Sequence, residues 1–192
     1  MSQYPLITIS SPSGGGKSTI TQKILRSSRR FTKSVSATTR APRGTEVDGR
    51  DYYFISVEEF HNKISNNDFL EWEEVYPDIL YGTLNSEIEN ASKKGTIPIL
   101  AIDVHGALEL KKKLRDRVLT IFLDVPSIDV LRDRLKYRAT ETQEELEKRL
   151  KRASYELSFK DQFDVIIPNI SIKDTVTKTI QSIDDFLHKL QL

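Results

Sequence analysis

No cysteine occurs in the 192 residues, so no disulfide framework holds this chain and nothing in it calls for an oxidising compartment. Net charge is nearly absent too. The 29 basic and 28 acidic residues leave a formal charge of +1, which excludes a global field for nucleic acid or anionic lipid, so anion binding must come from local placement of charge. Long hydrophobic runs are missing: the longest, such as residues 97–102, fall far short of the ~20 residues that cross a bilayer. The opening residues Met1-Ser2-Gln3-Tyr4-Pro5 lack the basic start and apolar stretch of a secretory signal. The expectation is a cytoplasmic protein with neither a membrane nor a nucleic-acid partner. Internal repeats, low-complexity tracts and linkers rich in Pro, Gly or Ser are also lacking, which favours one woven domain over two independent ones.

What is present is an alternation. Short apolar runs at 6–9, 97–102, 118–123 and 165–167 read as buried strands, and each is followed by a helical pattern. Helices are expected to begin near Lys17, Asn85, Gly106, Ser127, Gln143 and Ile172. Thr142 to Glu145 has capping-box spacing, Ser86 to Glu89 offers a second, and Gly95 suits a helix C-cap. Such alternation predicts an α/β fold with a parallel sheet covered on both faces and ligands at the carboxyl ends of its strands. Two stretches break the rhythm. Residues 34–83 are polar and aromatic, with antiparallel pieces expected at 52–55 and 70–75 and a short helix at 57–64, and would form an inserted subdomain. Residues 127–157 are helical and dense in charge, and would form a lid. The core is then 1–33, 84–126 and 158–192.

Ser11-Pro12-Ser13-Gly14-Gly15-Gly16-Lys17-Ser18-Thr19 follows directly on the first strand and opens a helix. Three glycines let the backbone wrap an anion with its N–H groups inward, and the helix N-terminus adds its positive end. Lys17 would reach the β- and γ-phosphates of a nucleoside triphosphate and the Ser18 hydroxyl would ligate Mg²⁺. The motif's usual first glycine is Ser11 here, a small residue that the position tolerates. The competing reading is a flexible glycine-rich turn. At the end of the 97–102 strand stands Asp103, either an acid organising Mg²⁺ through water or a helix N-cap, roles that can coexist.

In order along nearly the whole chain, Ser11 to Thr19, Ser36-Ala37-Thr38-Thr39-Arg40-Ala41-Pro42-Arg43, Gly49-Arg50-Asp51-Tyr52-Tyr53-Phe54, Phe69-Leu70-Glu71-Trp72, Tyr81-Gly82-Thr83, Asp103 and Arg138 to Thr142 resemble the guanylate kinase family. The resemblance implies transfer of the γ-phosphate of ATP to GMP or dGMP by a P-loop core with a GMP-binding subdomain and a helical lid. It puts Ser36, Arg40, Arg43, Tyr52 and Tyr81 on the GMP phosphate and Glu71 and Thr83 on the guanine edge. It gives Ser13, Gly14, Gly15, Gly16, Lys17, Ser18 and Thr19, with Arg134 and Arg138 of the lid, to ATP, and Asn169 to the neighbourhood of the adenine. Lys17, Arg138, Arg149 and Asp103 would carry catalysis, with Mg²⁺ on Ser18 and, through water, Asp103.

The chemistry of these residues agrees. Guanidinium groups grip a phosphate dianion bidentately, and a carboxylate supplies two acceptors for the adjacent donors of guanine, where adenine presents an acceptor. Each has an ordinary alternative: loop charges for Arg40 and Arg43, strand packing for the tyrosines, and for the lid arginines a solvated face paired with Glu141, Glu144, Glu145 and Glu147. The sequence departs from the family at Ala101, where an acid is usual, at His105 and at Ala139; His105 is given no role. Two rival functions remain at this stage. One is a peptide-binding module derived from the family, against which the intact phosphate loop argues. The other is a sister kinase for another phosphorylated acceptor, against which Glu71 and Thr83 argue.

Overall fold

The structure, a computed structural model, describes residues 4–136 and 143–191, without the side chains at 134–136, 143 and 145. Five strands, β1 (Leu6–Ser10), β2 (Phe31–Lys33), β7 (Ile97–Ala101), β8 (Val118–Asp124) and β9 (Val165–Pro168), form one sheet in the order β2-β7-β1-β8-β9. Every pairing in it is parallel, as strand–helix alternation predicts. β1 is buried along its whole length. Its Ile7 and Ile9 pack on one face with Ile20 and Ile24 of α1 (Lys17–Ser27) and Ile183 and Leu187 of α7 (Ile172–Lys189). On the other face Leu6 joins Leu100, Phe122 and Leu110 of α4 (Val104–Leu114). The period-2 alternation of a strand thus feeds two cores, one on each side of the sheet.

The four expected strands are all formed, but β2 was not foreseen: Phe31-Thr32-Lys33 is too short and polar to stand out, and becomes a strand because β7 offers it an open edge. From β1 the chain passes through α1 to β2 on one side, and from β7 it crosses over β1 through α4 to β8 on the other. The loops that follow β1, β7 and β9 therefore gather at the carboxyl end of the sheet, at its topological switch point.

A second sheet has the order β4-β3-β6-β5, built from β3 (Ser36–Thr38), β4 (Tyr53–Phe54), β5 (Phe69–Tyr76) and β6 (Ile79–Leu84). One expectation is corrected here. β4 runs parallel to β3, with Ala37 opposite Tyr53. The connection over residues 39–52 has the dozen or so residues that a parallel crossover needs, and the antiparallel partner of β3 is β6. One face of this sheet is apolar. There Phe60 of α2 (Val57–Ser65) stacks on Phe69 at 4.4 Å, with Ala37 and Leu80 beside them.

Helix starts fall close to expectation, with instructive differences. α4 starts at Val104, two residues before Gly106, because Asp103 caps it by accepting the Gly106 N–H at 3.0 Å. Ser86 caps nothing: it lies inside α3 (Asn85–Lys93), whose N-cap is Leu84. The other proposed capping box, at Thr142, lies outside the described residues. Gly95 follows α3 with φ 63° and donates to Ser92 O at 2.9 Å, as its reading as a C-cap glycine requires. α5 (Ile128–Lys136) and α6 (Gln143–Leu157) pack on each other and on Val125 through Leu131, Leu150 and Ala153. No helix of the described residues is long and apolar enough to cross a membrane.

Candidate active site

The loop between β1 and α1 is shaped by its glycines. Gly14 and Gly16 take φ 82° and 93°, a left-handed geometry that a side chain resists. Gly16 is the N-cap of α1 and supplies no capping side chain, so the first-turn N–H groups remain available to an anion. At Gly15 a Cβ would lie 2.8 Å from Pro12 O and 2.9 Å from Ser11 Oγ. Ser11 is therefore accommodated because its neighbour across the loop has no side chain. Ser18 and Thr19 are exposed on the first turn of the helix.

Lys17 extends across the loop and donates to Ile102 O at 2.8 Å. Burial lowers its ammonium below the ordinary lysine range, offset in part by the charges of Asp103 and Glu156. Asp103, besides capping α4, has burial working against its ionisation. A hydrogen bond from Glu73, the charge of Lys17 and the Gly106 N–H outweigh this and hold it below the usual carboxylate range. An ionised Asp103 and an exposed Ser18 hydroxyl next to a lysine are hard oxygen donors of the kind Mg²⁺ accepts.

The second sheet turns its polar face to this loop. Strand register sets Ser36 opposite Thr83 and Thr83 opposite Glu71, and in the next row Thr38 opposite Tyr81 and Tyr81 opposite Glu73. Glu71 is 5% exposed. The Thr83 hydroxyl donates to its Oε1 at 2.5 Å, and its Oε2 lies so close to Gly106 that a Cβ there would be 2.5 Å away. Burial pushes Glu71 up to about 7, against the pull of the Thr83 bond.

Arg40 is equally enclosed, at 8% exposure. Its Nε donates to Tyr81 Oη at 2.9 Å, and Nη1 and Nη2 take Glu46 at 2.8 and 3.1 Å, with Nη1 also on Ala41 O. Its guanidinium lies 5.2 Å from the Tyr52 ring centroid, and Tyr52 meets Tyr81 edge-on at 5.8 Å. At least four of its five N–H donors are therefore engaged, and Tyr52 also lies within its hydrogen-bonding reach. Arg43 is exposed, and only its backbone N–H joins the cluster, donating to Glu46 at 2.8 Å.

From the far side α6 leans over the phosphate loop, where Arg149 donates to Ser13 Oγ from Nη2 at 3.1 Å and from Nε at 3.3 Å. Arg138 lies outside the described residues, as do Ala139 and the side chain of Arg134. Asn169, after β9, does not stand free toward a base: its Nδ2 donates to Gly15 O at 2.6 Å and its Oδ1 accepts from Thr175 at 3.1 Å. It braces the phosphate loop, and a Cβ on Gly16 would strike it at 2.8 Å.

A family model described as guanylate kinase matches residues 3–189. The guanylate kinase of Bacteroides thetaiotaomicron is 44% identical over 184 residues, covering 96% of this chain and 90% of its own. That of Salinibacter ruber is 43% identical, covering 95% of this chain and 96% of its own. The crystal structure of guanylate kinase from Anaplasma phagocytophilum superposes with a TM-score of 0.75 at 33% identity, over 98% of this chain and 87% of that one. The chain belongs to the guanylate kinase family. It is a nucleoside monophosphate kinase with the P-loop α/β fold of that family, and its reaction is phosphoryl transfer from ATP to GMP.

Sequence reasoning missed several residues of this kinase's site. Glu46 holds Arg40, and Glu73, two residues after Glu71 and so on the same face of β5, reaches Asp103. Burial and that hydrogen bond push Glu73 up to about 9, and its Oε2 is buried without a hydrogen-bond partner among the described residues. Arg152 and Glu156, four residues apart on α6, join the site from above. The spacings 71/73 and 149/152/156 were the available signals. His105, given no role, packs against Phe159 at 4.8 Å and Tyr155 at 5.6 Å.

Proposed function

We propose that the kinase seats GMP, or dGMP, on the polar face of the small sheet and ATP on the phosphate loop. Residues 34–83 act as the acceptor unit and 127–157 as the lid. The observation that carries this is the buried Glu71 carboxylate, presented by Thr83 and Gly106 toward the same end of the large sheet as Lys17. Glu71 accepts from guanine N1–H and the exocyclic amine, with Thr83 fixing its orientation. Arg43 and the remaining donor of Arg40 take the acceptor phosphate, together with Ser36 and the hydroxyls of Tyr52 and Tyr81. Glu46 keeps Arg40 in place.

On the donor side Gly14, Gly15, Gly16 and the first turn of α1, with Ser13, Ser18 and Thr19, enclose the ATP phosphates. Lys17 leaves the Ile102 carbonyl to reach the transferring group. Arg149, and Arg134 and Arg138 from the lid, gather the charge that spreads over that group. Asn169 serves ATP indirectly, by holding the loop. Mg²⁺, held by Ser18 and through water by Asp103, would neutralise the β- and γ-phosphate oxygens. The acceptor phosphate is already anionic, so the protein has no proton to remove; its work is to align two anions and exclude water. A cytoplasmic setting fits the cysteine-free composition.

The test is ADP release, coupled to a spectrophotometric readout, across GMP, dGMP, AMP, UMP and TMP with and without Mg²⁺. Turnover confined to the guanine nucleotides and dependent on the metal is expected. Comparable turnover of AMP or UMP would overturn the assignment of Glu71.

A further inference from the structure

Arg152 of α6 touches the acceptor sheet and, through a single intermediary, the phosphate loop. Its Nη1 donates to Val75 O at 2.9 Å, its Nη2 stands 3.6 Å from Glu73, and its guanidinium lies 5.4 Å from the Tyr76 ring centroid. All three belong to β5, the strand that carries Glu71. Glu73 thus lies within ion-pair distance of Arg152 from the acceptor side. The shorter pair is with Glu156, whose Oε1 accepts from Nε at 3.0 Å. The other oxygen of Glu156 accepts the backbone N–H of Ser13 at 2.8 Å, the residue whose hydroxyl receives Arg149.

The connection is short and stiff. Arg152 and Glu156 keep only 20% and 7% of their side-chain surface exposed, so their charge-assisted bond is poorly screened. The planar fork of Arg152 spends separate donors on Val75, Glu73 and Glu156, which an ammonium on a flexible stem cannot reproduce. A second path runs from the same strand, through Glu73 and Asp103 to Lys17. Moving β5 therefore moves Ser13 and the helix that carries Arg149. We propose that Arg152 is a positioning residue that couples occupancy of the acceptor sheet to the geometry of the phosphate loop, so that GMP and ATP bind synergistically through it. This rests on the placement of GMP given under Proposed function.

The coupling is measured by calorimetry on the full chain: GMP alone, a non-hydrolysable ATP analogue with Mg²⁺ alone, and each in the presence of the other. In the wild type each nucleotide should tighten the other by about fivefold or more. Arg152→Met should leave each single affinity within about threefold while the coupling factor falls toward one. Its KM for each nucleotide, measured at saturation with the other, should rise by about the lost coupling factor, and kcat should drop because loop geometry matters most in the transition state. Arg152→Lys keeps the charge and lacks the fork, so it serves if the methionine variant does not fold; it too should lose most of the coupling. Absence of synergy in the wild type, or its retention in a folded Arg152→Met or Arg152→Lys protein, overturns the proposal. A parallel Glu71→Gln titration separates the two ideas. Unchanged GMP binding there refutes the placement of GMP, whereas weakened GMP binding with synergy intact in the Arg152 variants refutes only the coupling.

Discussion

The Thr83 hydroxyl donates to Glu71 Oε1 at 2.5 Å, across the β5–β6 pair whose register sets the two residues opposite each other. This bond fixes one carboxylate oxygen and leaves the other against Gly106, so the group proposed to read the base is held in one orientation by the protein itself. Sites built around such hydrogen bonds discriminate by ~10⁴–10⁵, where apolar fit alone gives ~10–200-fold. Glu71→Gln keeps the shape but turns one acceptor into a donor facing a donor. The ratio of kcat/KM for GMP to that for AMP should collapse, with ATP affinity unchanged; an unaltered ratio refutes the base-reading role.

Gly106→Ala tests the same orientation from the opposite side. The added methyl would stand 2.5 Å from Glu71 Oε2 and 3.2 Å from its carboxyl carbon, inside the closest approach of such atoms, so the carboxylate must swing away. Helix α4 itself should tolerate alanine, a better helix former than glycine. The expected result is a raised KM for GMP in a protein that folds as before and binds the ATP analogue normally. Wild-type KM would mean that the Glu71 carboxylate need not occupy this position.

Lys17→Ala removes the charge proposed to reach the transferring group. Loss of one preorganised charge contact at a transition state commonly costs ~10²–10³ in kcat. The same change also deletes a desolvated ammonium, so the melting temperature should hold or rise. Turnover near wild type in the folded variant would displace Lys17 from its role.

Arg43 is exposed while Arg40 is engaged with Glu46 and Tyr81, a division of labour invisible in the pair's spacing. Arg40 holds the loop and Arg43 is free to meet the phosphate. Arg43→Ala should therefore weaken GMP by roughly ten- to a hundredfold, the scale of a charge-assisted contact, with no loss of stability. Arg40→Ala should cost stability as well. Calorimetry and urea unfolding on both variants separate the two roles, and equal destabilisation would refute the division.

The large sheet was legible because its strands are buried on both faces and so read as unbroken apolar runs at 6–9, 97–102 and 118–123. The small sheet was only half legible. Tyr81 and Thr83 were picked out for chemistry, yet their strand β6 was not, since Ile79-Leu80-Tyr81-Gly82-Thr83-Leu84 carries no clear alternation and a glycine at its centre. Of its two partners β5 is a hairpin neighbour, but β3 lies more than 40 residues away, as at Thr38 and Tyr81, and local pattern does not reveal that pairing. The ordered motifs carried the candidate site residues; what escaped were the residues that hold them. Glu46, Glu73, Arg152 and Glu156 look like ordinary surface charges in a chain that is 30% charged, and acquire their roles only when tertiary contacts bring them to Arg40, Asp103, Val75 and Ser13.

The clearest pH-dependent consequence also falls on Glu71. Burial raises it from the usual 4.5 to about 7, so the folded state holds its proton more tightly than the unfolded chain does. For an acid shifted in this direction, the stability present below pH 4.5 is lost as pH rises and is gone above about pH 7. A shift of that size corresponds to about 3 kcal/mol at about 1.4 kcal/mol per unit, the strain of keeping a buried carboxylate ready for guanine. Glu71→Gln carries no such charge and can still accept from Thr83. The variant should then be more stable than wild type at pH 8 without nucleotide, and the advantage should shrink toward zero near pH 4.5. Taking the difference between the two proteins cancels the titration of carboxylates remote from Glu71, leaving only those that feel its charge, Glu73 and Asp103. Urea midpoints across that range decide the matter: a difference that stays constant with pH would show that Glu71 is not the group that titrates.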